Sequence, residues 1–146
     1  MKKSGKLVTG ILALMMVGVT VLPAMAASNV YNYVVHLADY KYWSYGGWAS
    51  HTLGNQGAQV RCESVYPDEN IPDNYRVIYC RIADYMGNRI SQDPERKLTE
   101  GTGFYEQMRI QEYYANLLGT IYFNFRGNSN ASAYAVVSYK GDWIPQ

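Results

Sequence analysis

The chain has 146 residues, 13 basic and 12 acidic side chains, a formal net charge of +1, two cysteines and 15 tyrosines. A balance so close to neutral leaves no basic surface of the kind that binds nucleic acid, and the length suits one domain rather than two. Plentiful Tyr, Val, Ile and Thr, with frequent Gly and Asn, is the composition of strands and turns.

The first 26 residues have the grammar of an export signal. Lys2, Lys3 and Lys6 precede an apolar run over residues 7–22, and Pro23 and Ala24-Met25-Ala26 follow, which places cleavage after Ala26. The run is short, holds Gly10 and Gly18, and ends on small residues, so a permanent membrane anchor is disfavoured. No later stretch reaches spanning length, and no stable membrane insertion is expected after cleavage. Removing the three lysines leaves ten basic against twelve acidic residues. Residues 27–146 are expected as a single secreted domain, able to bury roughly two thirds of its unfolded surface.

Strand-like alternation first appears over 30–39, with Tyr31, Tyr33, Val35 and Leu37 on one side. It returns over 58–66 and 75–85, on either side of a turn-forming stretch at 67–73. Cys62 and Cys80 lie in these two segments. In an oxidising compartment they are expected to form a disulfide, with two buried free thiols as the alternative. Placed opposite each other in an antiparallel pair, they would align Val60 with Ile82 and Ser64 with Ile78, but would also set Arg61 against Arg81.

Met86-Gly87-Asn88 reads as a turn, 89–91 as a short extended segment and 92–97 as a solvated loop. Residues 104–110 alternate as a strand, whereas the Glu, Gln and Leu content of 105–118 also allows a helix; strand followed by loop is the favoured reading. Two more strands are expected at 119–126 and 133–140, joined through Gly127-Asn128-Ser129-Asn130 as a hairpin. Six or seven short strands predict an all-β fold, a small antiparallel β-sandwich or barrel.

Candidate chemistry is sparse. His36 and His51 are the only histidines, no zinc-ligand spacing occurs, and no Gly-x-Ser-x-Gly turn presents a nucleophile. Asp68, Glu69 and Asp73 read as a solvated turn rather than a calcium loop. No catalytic residue, cofactor or metal is assigned. The outstanding segment is 40–51, where Tyr40, Tyr42, Trp43, Tyr45 and Trp48 place five aromatics in nine residues beside Gly46, Gly47 and His51. Rings with polar tips supply stiff contact area at low entropic cost. The segment either fills the mouth of the core or forms a binding surface, for a cell-envelope glycan or for a protein or lipid-surface partner.

The leader, the Trp/Gly/Tyr/Ser/His segment near the mature N-terminus and the aromatic C-terminal strands together resemble the lactococcin-972-like group of small secreted bacteriocins. The terminal Val137-Ser138-Tyr139-Lys140-Gly141-Asp142-Trp143-Ile144-Pro145 is similar to the ending of other small secreted proteins of Gram-positive bacteria. The chain departs from the bacteriocin group in its cysteine pair and an additional middle region. The resemblance implies a β-sandwich and, as one functional expectation, a bacteriocin-like effector or accessory protein at a cell envelope. From the residues themselves the leading expectation is a secreted, non-enzymatic binding protein, with a small secreted hydrolase as the remaining class.

Overall fold

A computed structural model of the protein describes residues 27–68 and 76–143. It contains eight strands: β1 Asn29–Leu37, β2 Ser44–Ser50, β3 Gly57–Pro67, β4 Val77–Ala83, β5 Arg96–Thr99, β6 Glu106–Arg109, β7 Thr120–Gly127 and β8 Ala133–Lys140. Among the described residues a 3-10 turn, Asp39–Lys41, precedes β2, and a short helix, α1 Glu112–Leu117, precedes β7. The strands form two four-stranded antiparallel sheets, ordered β1-β8-β3-β6 and β2-β7-β4-β5. The fold is a β-sandwich, one of the two architectures the periodicity allows, with eight strands among the described residues where six or seven were expected; β2 and β5 are the strands that regular alternation did not mark.

The alternation of each strand sets which face it buries. In β7, Ile121, Phe123 and Phe125 point into the sandwich while Tyr122 and Arg126 face out. In β4, Ile78, Cys80 and Ile82 point in. Phe123 from one sheet stacks on Tyr139 from the other, with ring centroids 4.3 Å apart. Each fully buried side chain of this size contributes about 1.5–3 kcal/mol, so the interior they share with Leu37, Val60, Ile110 and Val137 is what joins the layers.

Three expectations are corrected. First, β3 and β4 do not pair: β3 lies in one sheet and β4 in the other. Their inward residues are those the alternation picks, but they meet across the core rather than along a ladder. The Arg61–Arg81 clash disappears with the pairing, since the two arginines sit on opposite outer faces. Second, Cys62 and Cys80 form no disulfide; both are free, buried thiols. Burial pushes the Cys62 thiol up to about 12, with Glu100 and Glu63 adding to the shift, and burial alone raises Cys80. Third, β7 and β8 make no hairpin, because the loop between them crosses from one sheet to the other.

Smaller differences have local causes. Part of the expected solvated loop at 92–97 becomes β5, an edge strand in which Leu98 is buried and Lys97 is exposed, the charged dressing that keeps an edge from pairing further. The 104–110 strand is β6, but the residues after it form α1 instead of a loop, with only Ala115 fully buried. The signal segment and its cleavage site at Ala26, together with Glu69 and Asp73, lie outside the described residues.

Candidate functional site

The aromatic segment divides into three environments. Tyr40, Tyr42, Tyr45 and Trp48 are exposed, Trp48 by 52%, Trp43 is half-buried and His51 is buried. The turn carrying Tyr40 is tight: Tyr40 and Lys41 both adopt left-handed φ values of 55° and 61°, which costs about 1–2 kcal/mol per residue. Backbone bonds hold it, from the Tyr40 N–H to the Asn130 carbonyl (2.9 Å) and from the Tyr42 N–H to the Asp39 carbonyl (3.2 Å).

Tyr45 and Trp48 are three residues apart, and in a regular strand they would face opposite sides. Here β2 pairs Tyr45 with Asn124 and Trp48 with Tyr122, so β2 spends one more residue than β7 between the two pairs. This bulge is made by Gly46 and Gly47, and Gly47 has a φ of 102° that glycine adopts without penalty. A Cβ on Gly46 would also strike the Phe125 ring at 2.2 Å. The glycine pair therefore turns both aromatic side chains to the same outer face, beside Tyr122, whose ring centroid lies 6.1 Å from that of Tyr45.

Further across the same face, the Arg81 guanidinium lies over the Trp43 ring at 4.4 Å, and Arg126 lies over Tyr79 at 4.1 Å and near Trp43 at 5.6 Å. Arg126 also donates two hydrogen bonds to the Glu95 carboxylate (2.6 and 2.8 Å). The outer surface of β2, β7 and β4 is thus a continuous platform of Trp43, Tyr45, Trp48, Tyr79 and Tyr122 with two guanidinium groups set into it. A cleft of about 540 Å³ adjoins it, shares Tyr122, and is walled by Leu53, Tyr85 and Leu118.

His51 is corrected from a surface contact to a structural tie. Its Nδ1 donates to the Gly141 carbonyl (2.5 Å) and lies 3.1 Å from the Asp142 carboxylate, which also accepts from the Thr52 N–H (2.9 Å). With Nδ1 carrying the proton, Nε2 is sealed inside with no hydrogen-bond partner among the described residues. This tie joins the end of β2 to the chain after β8. It assigns the Gly-Asp-Trp ending a packing role: Gly141 passes so close to the Ser50 carbonyl that a Cβ would sit 1.7 Å from it.

His36, Asp68 and Ser132 also meet, at the other end of the molecule. Both the His36 ring (3.3 Å) and the Ser132 hydroxyl bond to the same Asp68 oxygen. The hydroxyl is therefore directed at the carboxylate and not at the imidazole, which is not the order in which a base activates a nucleophile. Among the described residues no group of three or more His, Cys, Asp or Glu is placed to hold a metal, and no helix is long and apolar enough to cross a membrane. Neither protein-family models nor curated proteins match the chain.

What sequence reasoning missed at this site are Tyr79, Tyr122, Arg81 and Arg126. Each is an outward residue of an ordinary alternating strand, and its place beside the 40–48 segment follows only from sheet order. The one local signal was the Gly-Gly pair inside a strand-like stretch, which marks a bulge.

Proposed function

We propose that this is a secreted, non-enzymatic binding protein that holds cell-envelope glycan on the outer face of the β2-β7-β4 surface. The observation that carries this reading is the placement of Tyr45, Trp48 and Tyr122 together on one outer face, which the glycine bulge in β2 brings about. Side-by-side rings with polar edges suit the apolar face of a sugar, and their support by a rigid sheet removes the ordering cost that a loop would incur. The leader over residues 1–26 supports a location outside the cell, where such polymers are found.

The test is co-sedimentation of residues 27–146 with purified bacterial wall sacculi, beside a Tyr45→Ala/Trp48→Ala variant. Both side chains are more than half exposed, so the variant keeps its fold by circular dichroism. The parent pellets with the sacculi, and the variant loses at least tenfold in affinity, the size expected for removing two stacking rings. Equal pelleting of the folded variant and the parent removes the platform from the function.

A further inference from the structure

The arginines on this protein are not equivalent. Arg61 is paired with Glu63, Arg76 with Glu100, Arg96 with Asp93 and Arg126 with Glu95. Arg81, like Arg89 and Arg109, forms no ion pair among the described residues, and of the three it is the one that lies on the platform, over Trp43. Its Nε is buried without a hydrogen-bond acceptor, and its Nη2 reaches only the Gly87 carbonyl at 3.4 Å. The nearest acidic residue in the chain, Asp84, is committed to its own turn through the Met86 and Asn88 N–H groups and the Asn88 side chain. The neighbouring charge is Arg89, an exposed cation that adds to the local excess.

We propose that the Trp43–Arg81 end of the platform is an anion subsite, and that the ligand is an acidic polysaccharide whose sugar rings bear carboxylates. The proposal deepens, and rests on, the reading of the platform as a glycan surface. A guanidinium lying on an indole directs its N–H donors along the ring plane; with Nε buried and Nη2 only weakly engaged by Gly87, the Nη1–Nη2 edge of Arg81 is the fork that matches a carboxylate bidentately. Arg81 is in register with Asn124, which is in register with Tyr45. The Arg81 backbone is therefore two strand spacings, about 10 Å, from that of Tyr45, and its guanidinium reaches back over Trp43, so that with one sugar on Tyr45 and Trp48 the next carries its carboxylate to Arg81. A polyol phosphate would supply charge but no ring faces, so the aromatic half of the surface favours a carboxylated sugar.

The experiment measures binding of residues 27–146 to polygalacturonate, to its methyl ester and to inorganic polyphosphate at low and high salt. The acid and the ester share their rings and differ only in charge. The parent is expected to bind polygalacturonate at least tenfold more tightly than the ester, with the difference shrinking as salt rises. Arg81→Gln brings the acid down to the level of the ester, and Arg81→Lys, which keeps the charge without the fork, falls between. Arg89→Gln alters an exposed side chain whose backbone bridges to Ala83, leaves the fold intact and weakens binding of the acid roughly twofold, which keeps the proposal testable if Arg81→Gln unfolds. Equal binding of acid and ester overturns the anion subsite and leaves the glycan platform standing. Polyphosphate binding as tight as that of polygalacturonate overturns it too, since the surface would then read charge alone. No binding of polygalacturonate also overturns it; the platform reading survives in that case only if Tyr45 and Trp48 still determine sacculus binding.

Discussion

Cys62 and Cys80 show how burial governs a side chain that sequence context alone assigns differently. Both thiols are sealed between the sheets, and burial holds their protons well past the ordinary cysteine range. The native protein is therefore expected to react very slowly with a thiol reagent at pH 8, and to yield two thiols on unfolding. A single oxidised pair in the unfolded, unreduced chain would contradict the free-thiol geometry. The same burial sets a pH dependence. Unfolded thiols lose their protons above about 9, whereas folded Cys62 keeps its proton until about 12, so stability is complete below pH 9 and falls as the pH rises. At pH 10 the loss from Cys62 is about 1–2 kcal/mol relative to pH 7, and Cys80, raised by burial, adds to it in the same direction. Denaturant unfolding at the two pH values, repeated on Cys62→Ala/Cys80→Ala, checks it: the variant is less stable overall but its pH slope is flatter.

Among the elements, β2 carries the most information per residue. Its bulge places Tyr45 and Trp48 on one face, and the geometry rests on Gly47, where a Cβ would lie 2.2 Å from the Tyr139 hydroxyl and force a side chain into positive φ. Gly47→Ala is expected to cost about 1–3 kcal/mol and to weaken sacculus binding together with stability. A variant that loses neither would show that the bulge does not position the rings. The β3 and β4 segments teach a different lesson. Their alternation was legible, and so were their inward residues Val60, Cys62, Ile78, Cys80 and Ile82. Their partners were not legible, because hydrophobic periodicity identifies which face is buried but is silent on whether the opposing layer is a neighbouring strand or a second sheet. The Arg61–Arg81 conflict was the residue-level sign that the simple ladder was wrong. For the helix α1, six residues with one buried alanine leave too weak a periodic signal to separate helix from loop.

At the scale of the whole molecule, consecutive strands almost always change sheets: among the eight strands only β4 and β5 are both adjacent in sequence and paired. Nearly every ladder therefore joins distant parts of the chain. Such a topology has to close large loops before any contact rewards it, and refolding is expected on the millisecond-to-second scale of β-sandwiches, not in microseconds. The stack of Phe123 on Tyr139 ties the two layers at their centre. Phe123→Ala is predicted to cost about 3–5 kcal/mol, a large share of a small domain's stability. Thermal or denaturant unfolding measures it, and a cost below about 1 kcal/mol would mean that the interior closes around the gap.

Read on its own, the amino-acid order determined the all-β class, the positions of most strands, the buried face of those that alternate regularly, such as β3, β4 and β7, and the aromatic density of residues 40–48. These are local properties, written in composition and in a period of two. In β1 a register shift between Val30 and Tyr33 leaves Tyr31 and Tyr33 exposed although they alternate with Val35 and Leu37. The tertiary structure alone decided that the cysteines remain apart as thiols, that His51 faces inward to tie the chain ends, and that Arg81 and Arg126 join the aromatic segment on one surface. The physical reason is that sheet order depends on which strands meet across the sandwich, a choice made by the summed packing of residues far apart in the chain and by no single stretch of it.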